Sequence, residues 1–103
     1  MEKFNVIISS KAQLDLAESV GFVLNVSKEA AIKLANDVYS AIDSLSNFPE
    51  RNPVFEMPKS FPFVVRKLFI NKRYVVLYGI ETNNIIVVYR ILDSRRQFDY
   101  LLY

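Results

Sequence analysis

The spacing of hydrophobic residues changes about halfway along this 103-residue chain. After a short strand-like run at residues 3–8, apolar residues recur every three or four positions, which is the spacing of a helix face. From residue 63 onwards the chain contains short runs rich in Val, Ile, Tyr and Phe, a composition typical of β-strands. The two patterns predict an α+β protein in which helices precede a β-meander.

Two helices are predicted in the first half of the chain. Ser10 and Gln13 have the spacing of a capping box, which indicates a helix over residues 11–24. Ser27 is a second capping residue, and the helix after it should continue to about residue 47. The pair forms an αα-hairpin whose Leu, Ala and Val stripes are expected to pack in the core.

Proline separates the helices from the strands. All four prolines lie within residues 48–63, which predicts an irregular crossover connection, because proline lacks the N–H that helices and ladders need. The pairs Asn71-Lys72 and Asn83-Asn84 then mark two hairpin loops, since Asn tolerates left-handed backbone. The strands are predicted over residues 63–70, 73–81 and 85–92. We therefore expect an N-terminal strand and an αα-hairpin packed on one face of an antiparallel sheet that ends in a three-stranded meander.

Two-residue loops would fix the register of this meander, with cross-strand partners summing to 143 in the first hairpin and 167 in the second. The row expected under the helices contains Val65, Tyr78 and Tyr89. The row on the opposite face contains Arg66, Leu77 and Arg90, beside Leu68 and Val75. The two arginines would lie about 10 Å apart across an apolar platform. A phosphate, a carboxylate or an acidic side chain would fit between them.

Charge is unevenly distributed along the chain. Residues 1–58 carry a net charge of −3, whereas residues 59–103 carry +5, including Lys72 and Arg73 at the first hairpin loop. This asymmetry favours a surface that binds nucleic acid or an acidic partner; a solvated strand face is the alternative.

Composition excludes several classes of protein. The length suits one domain over residues 1–103. Without cysteine or histidine the chain lacks a thiolate nucleophile, the usual general base near neutral pH and the commonest zinc ligand, and we expect neither a metal nor a cofactor. No apolar stretch approaches the roughly 20 residues needed to cross a membrane. The sequence favours a cytoplasmic protein with no membrane partner.

The chain ends in a basic and aromatic segment. Arg95 and Arg96 are followed by Phe98 and Tyr100, an arrangement that can contact phosphates while stacking a base. Alternatively, the arginines pair with nearby aspartates and the aromatic residues pack the tail.

The order of these elements resembles the RelE/ParE superfamily of type II toxin–antitoxin toxins. The resemblance covers nearly the whole chain, and it depends on the arginine that opens the meander, the strand with Tyr74 and Tyr78, and the last strand followed by Arg95-Arg96. RelE-like members are ribosome-dependent mRNA endoribonucleases, or mRNA interferases, that bind RNA through basic residues and a tyrosine. ParE-like members share the fold but poison DNA gyrase. Toxins of this kind also act in plasmid stabilisation.

The resemblance implies candidate catalytic residues, which are Arg66, Arg95, Arg96 and Tyr100. The candidate residues for binding nucleic acid or a partner are Arg66, Arg90, Lys72, Arg73, Leu68, Val75 and Leu77. However, Leu68 and Val75 stand where RelE-like nucleases commonly place a lysine and an arginine. RNA cleavage needs a general base to accept a proton, and no residue of the sequence is an evident candidate for this role.

Three hypotheses follow from this resemblance. The protein is a ribosome-dependent RNase, a ParE-like gyrase poison without nuclease activity, or a degenerate relative that only binds an antitoxin. All three imply a cognate antitoxin that covers the basic face. The targets would be ribosome-bound mRNA or DNA gyrase, so whether the protein is an enzyme stays open. The oligomeric state is also open, a homo-oligomer included.

Overall fold

The structure is a computed structural model that describes residues 3–56 and 62–93. Within these ranges the chain forms two α-helices, five strands and a 3-10 turn. In chain order they are β1 (Asn5–Ile8), α1 (Ser10–Leu24), α2 (Lys28–Ser44), the turn (Pro49–Arg51), β2 (Val54–Phe55), β3 (Val65–Ile70), β4 (Tyr74–Glu81) and β5 (Ile85–Asp93).

Serine side chains start both helices. Ser27 caps α2 as predicted, because its hydroxyl accepts the N–H of Ala30 at 3.1 Å. In α1 the cap is Ser9, which accepts the N–H of Ala12 at 3.0 Å, and Ser10 is already helical. The capping-box prediction was therefore wrong by one residue. The side chain of Gln13 donates instead to the carbonyl of Ile8, which ties α1 to the end of β1.

The strands form one sheet in the order β1-β5-β4-β3-β2. The meander β3-β4-β5 is antiparallel as predicted, whereas β1 runs parallel to β5, so the sheet is mixed. The proline connection also contains a strand that the sequence pattern did not indicate. This strand, β2, has only two residues, Val54 and Phe55, which lie opposite Arg66 and Val65.

The first hairpin is one residue out of its predicted register. Asn71 and Lys72 have the expected positive φ angles of 53° and 58°. However, the N–H of Arg73 donates to the carbonyl of Ile70, and Tyr74 lies opposite Ile70, so the loop has three residues. Partners therefore sum to 144, and a shift of one residue moves every β3 side chain to the other face relative to β4.

The second hairpin changes register along its length. Leu77 lies opposite Arg90, in the predicted register of 167, whereas Tyr78 lies opposite Val88, which gives 166. A β-bulge between Leu77 and Tyr78 causes the change, and Tyr89 is the extra residue. The prediction holds only for the half of this hairpin distant from its loop.

Each face of the sheet carries its own hydrophobic cluster. The helix-covered cluster includes Leu16, Leu34, Val38, Ile42, Ile70, Val76, Tyr78, Ile86, Val88 and Ile91, with Leu68 packed against it. The opposite cluster consists of Val65, Val75, Leu77 and Leu92, with Phe55 and Tyr89 packed against it. The predicted rows are thus wrong in four places, because Leu68 and Arg66, which lies opposite Tyr78, belong to the helix side and Val65 and Tyr89 to the opposite side.

Candidate functional site

Arg66 anchors the proline connection. Its guanidinium donates to the carbonyl of Asn52 at 2.7 Å and to that of Glu50 at 3.1 Å. Because Arg66 lies opposite Tyr78 and not opposite Leu77, it is not in a row with Arg90. The predicted pair of arginines across one platform is therefore a register error.

Tyr78 fixes the same connection from inside the core. Its hydroxyl donates to the carbonyl of Pro49 and accepts from the side-chain amide of Asn52 at 3.1 Å. Burial raises the pKa of Tyr78, so the phenol stays protonated. Phe48 directly precedes the turn Pro49–Arg51. Its backbone is left-handed, with a φ angle of 53°, which is uncommon for a residue with a bulky side chain. Two side chains thus hold one strained turn.

A cavity of about 490 Å³ lies beside Arg66. Its lining residues are Glu50, Pro62, Phe63, Val64, Arg66, Ile80, Glu81 and Tyr89. The hydroxyl of Tyr89 donates to the carboxylate of Glu81 at 3.3 Å. Desolvation, followed by the charge of Glu81, raises the pKa of Tyr89 to about 12. This phenol is consequently a poor proton donor at neutral pH.

Gly79 explains how Tyr89 lies in this cavity wall. A Cβ atom on Gly79 would come within 2.6 Å of the Tyr89 hydroxyl and 2.9 Å of its ring. Because Gly79 has no side chain, Tyr89, the bulged residue of β5, can lie across β4 at this position. A glycine inside a strand pattern is a known signal of such close approach, and it was the available sequence clue to this site.

Arg90 is buried in a contact with α1. Its guanidinium forms two hydrogen bonds with the carboxylate of Asp15, at 2.7 and 2.8 Å, and only 8% of the residue is exposed. Asp15 also accepts the N–H of Ile91 at 3.0 Å. The carboxylate of Asp15 therefore pairs with the cation of Arg90. It also accepts a backbone N–H at the edge of β5, beyond the end of β1. Asp15 was not among the predicted site residues, although it is an acidic residue among the apolar positions of α1.

The first hairpin loop presents the remaining described cations of the candidate set. Lys72 and Arg73 are both exposed. Arg73 approaches Asp93 at 3.8 Å and lies over the ring of Tyr74 at 5.4 Å from its centre. Exposed charges of this kind can contact a partner at the surface, whereas the guanidinium of Arg90 is buried and that of Arg66 is bound to backbone carbonyls.

Two of the three apolar candidates are buried, and the third is partly buried. Val75 and Leu77 are fully buried in the cluster opposite the helices, and Leu68 packs on the helix side. The open apolar platform predicted from the sequence is therefore not present in this form. The other candidates, Arg95, Arg96 and Tyr100, lie outside the described residues.

The described ranges contain no group of acidic side chains arranged to hold a metal. Their helices are also too short or too polar to cross a membrane. The site thus has three features. Arg66 and Tyr78 hold the proline connection, Tyr89 is a phenol with a raised pKa, and Lys72 and Arg73 are exposed at the first hairpin loop.

The combination of two helices on a five-stranded sheet also occurs in a solved structure. The structure is similar to a solved chain described as "Chromosomal ParDE TA system from P. aeruginosa", with a TM-score of 0.69 and 19% sequence identity. The similarity covers 88% of this chain and 96% of that chain. At this level of identity the comparison establishes the fold.

The family is established by sequence. A family model described as "ParE toxin of type II toxin-antitoxin system, parDE" matches residues 6–98. Because this match spans most of the chain, the protein belongs to the ParE toxin family. The predicted membership of the RelE/ParE superfamily is confirmed. Comparison with curated proteins gives no match.

Proposed function

We propose that this protein is a growth-inhibiting toxin that binds DNA gyrase and does not cut mRNA. The observation that carries the proposal is the engagement of both strand arginines. Arg66 donates to two backbone carbonyls, and Arg90 forms two hydrogen bonds with the carboxylate of Asp15. Both guanidinium groups are thus held by acceptors of the fold itself, whereas RNA cleavage would need a cation directed at the scissile phosphate.

The acid–base chemistry supports the same proposal. Cleavage of RNA by its 2′-hydroxyl needs a proton acceptor and a donor to the leaving oxygen. The chain has no histidine, and the apolar Leu68 and Val75 are packed in the two cores. Tyr89, with its pKa of about 12, is a weak acid. The described residues thus offer no matched pair of acid and base near an available cation.

We infer that contacts with the target or with a cognate antitoxin are made by exposed cations. Lys72 and Arg73 project from one hairpin end, and the chain carries a net charge of +5 over residues 59–103. An acidic or amphipathic antitoxin segment would complement this charge. Arg95, Arg96 and Tyr100 remain proposed contact residues of the same basic half.

Induced expression in growing bacteria, followed for both DNA and RNA, tests the proposal. We expect DNA synthesis to stop and cells to form filaments, while mRNA stays full-length. The purified protein should also inhibit supercoiling of relaxed plasmid by gyrase. The double variant Lys72→Ala/Arg73→Ala should weaken inhibition, and the matched control Lys28→Ala/Lys33→Ala, on exposed positions of α2, should not.

Two results would contradict the proposal. Cleaved mRNA with continuing DNA synthesis would identify a nuclease. Harmless expression of folded protein without a neighbouring antitoxin gene would identify a relative that has lost toxicity.

A further inference from the structure

The outer edge of the sheet at β1 offers backbone groups for pairing. The N–H groups of Asn5 and Ser9 donate to carbonyls next to and within β5, at 2.8 and 3.0 Å. Successive residues of a strand direct their backbone groups to alternate sides. The N–H and C=O groups of Val6 and Ile8 therefore point away from the sheet.

Most of these outward groups are unpaired. The carbonyl of Ile8 accepts the side chain of Gln13. The N–H of Ile8 and both backbone groups of Val6 have no partner within residues 3–56 and 62–93. Groups of this kind are satisfied by water or by the backbone of an added strand. The chemistry of this edge therefore selects an extended peptide.

The sequence of β1 carries none of the features that block strand addition. Asn5 is its only polar residue, and it contains no charge and no proline. The opposite edge differs, because β2 has two residues and is preceded by Pro53 and followed by Glu56. Proteins commonly protect edges with short strands, proline and charge. Only β2 is protected in this way.

A hollow beside β1 has room for the side chains of an added strand. Its volume is about 480 Å³. Its lining residues are Val6, Ile8, Tyr39, Ser40, Ile42 and Asp43. The hollow lies on the helix side of the sheet, whereas Ile7 is on the opposite side and is 50% exposed. An added strand can thus bury apolar side chains on both faces.

We propose that the occupant of this edge is β1 of a second copy, antiparallel, with Ile7 next to the two-fold axis. Val6 of each copy then lies opposite Ile8 of the other, and the two residues exchange both of their backbone hydrogen bonds, because the carbonyl of Ile8 has a second lone pair besides the one that accepts Gln13. The same uncharged strand supplies donors and acceptors in matching positions, and no like charges face each other. Such self-complementarity is what a two-fold interface requires.

This register places identical residues together on one face and fills the hollow on the other. Ile7 packs against Ile7 of the second copy as a non-hydrogen-bonded pair, with Cα atoms about 4.5 Å apart. Val6 and Ile8 of each copy point to the helix side, into the hollow of the other copy. The two sheets become one continuous sheet that has lost its unprotected edge.

Cross-linking tests the register directly, because the chain has no cysteine of its own. A Cα separation of about 4.5 Å lies within the range that disulfides span. Under mild oxidation we expect Ile7→Cys to form a covalent dimer roughly tenfold or more faster than the control, because pairing raises the local thiol concentration. The control is Ile32→Cys on α2, which is 52% exposed and therefore as accessible as Ile7.

Sedimentation across a concentration series tests the association itself. The wild-type chain should form dimers as concentration rises, Ile7→Lys should remain monomeric because two ammonium groups would face each other, and Ile32→Lys should behave as wild type. Circular dichroism checks that each variant is folded. Equal cross-linking rates for the two cysteine variants, a monomeric wild type at every concentration, or a dimer that persists in folded Ile7→Lys would each overturn the proposal.

Discussion

Two regions of the molecule each depend on one arginine of the sheet. Arg90 lies at the junction of α1 and β5, and Arg66 lies at the proline connection. Arg90 meets the carboxylate of Asp15, and the side chains of this pair are 9% and 11% exposed. Among the described residues, Arg66 donates to backbone carbonyls, and its contact with Glu50 lies in an exposed region. The same residue type therefore neutralises a buried charge in one region and braces a surface connection in the other.

The difference shows why a row of arginines in a predicted sheet is weak grounds for a phosphate site. A guanidinium has five N–H donors, and a fold can use them for its own carbonyls and carboxylates. The energetic consequences also differ between the regions. Removing the cation from a buried ion pair leaves an uncompensated charge in the protein. Backbone carbonyls near the surface that lose an arginine donor can instead accept hydrogen bonds from water.

The largest effect should come from breaking the buried pair. We expect Arg90→Met to lower the free energy of unfolding by about 3–5 kcal/mol, because the Asp15 carboxylate would stay buried without its cation. Chemical denaturation followed by circular dichroism measures this loss. The matched control is Arg73→Met, whose exposed pair with Asp93 at 3.8 Å should contribute no more than about 1 kcal/mol.

A second substitution distinguishes an unpaired charge from lost packing. Asp15→Asn removes the charge and keeps an oxygen for the N–H of Ile91, so the double variant with Arg90→Met should be more stable than Arg90→Met alone. If the double variant is the less stable of the two, the buried-charge explanation is wrong.

A smaller effect is expected at the proline connection. Arg66→Met should lower the free energy of unfolding by about 1–2 kcal/mol, the range for a hydrogen-bonding group whose partners remain near solvent. The same denaturation measurement applies. Growth arrest should persist below the unfolding temperature of the variant, because we assign Arg66 to the fold and not to catalysis.

If Arg66→Met abolished growth arrest without changing the free energy of unfolding, the assignment of Arg66 to the fold would be wrong. Arg66 would then be a functional residue whose contacts with Asn52 and Glu50 are secondary. Arg66→Lys provides a further control, since lysine keeps the charge and loses the two-carbonyl geometry.

Much of the fold could be predicted because local signals agreed with the final structure. Ser27 did start α2, and the positive φ angles at both Asn-containing loops were expected from residue type. The family resemblance followed from the order of these elements and is confirmed by the match over residues 6–98. Helical and strand periods are local properties, so one sequence is enough to show them.

The site was predicted less well because register depends on single residues. One extra loop residue at Arg73 moved Arg66 and Leu68 to a different face from the one expected, and one bulged residue at Tyr89 changed the register of half of the second hairpin. Neither shift has a local sequence signal as strong as a proline or a capping serine. The partner of Arg90 is also 75 residues away in sequence, a contact that periodicity does not reveal.

The smallest effect should be found at high pH, in the cavity beside Arg66. The raised pKa of Tyr89, about 12 against an ordinary 10, means that the folded state favours the neutral phenol. This contribution to stability is complete below pH 10 and is lost as pH rises from 10 towards 12. We expect the loss to be no more than about 1 kcal/mol, because solvent screens a side chain that is only partly buried.

Tyr89→Phe should therefore lose less stability than wild type between about pH 8 and about pH 11 in denaturation experiments. The matched control is Tyr39→Phe, at an exposed position of α2. Identical pH dependence in wild type and Tyr89→Phe would mean that Glu81 and burial do not hold this phenol neutral. The cavity beside Arg66 would then contain a phenol of ordinary acidity that can donate a proton, and Tyr89 would no longer speak against RNA cleavage.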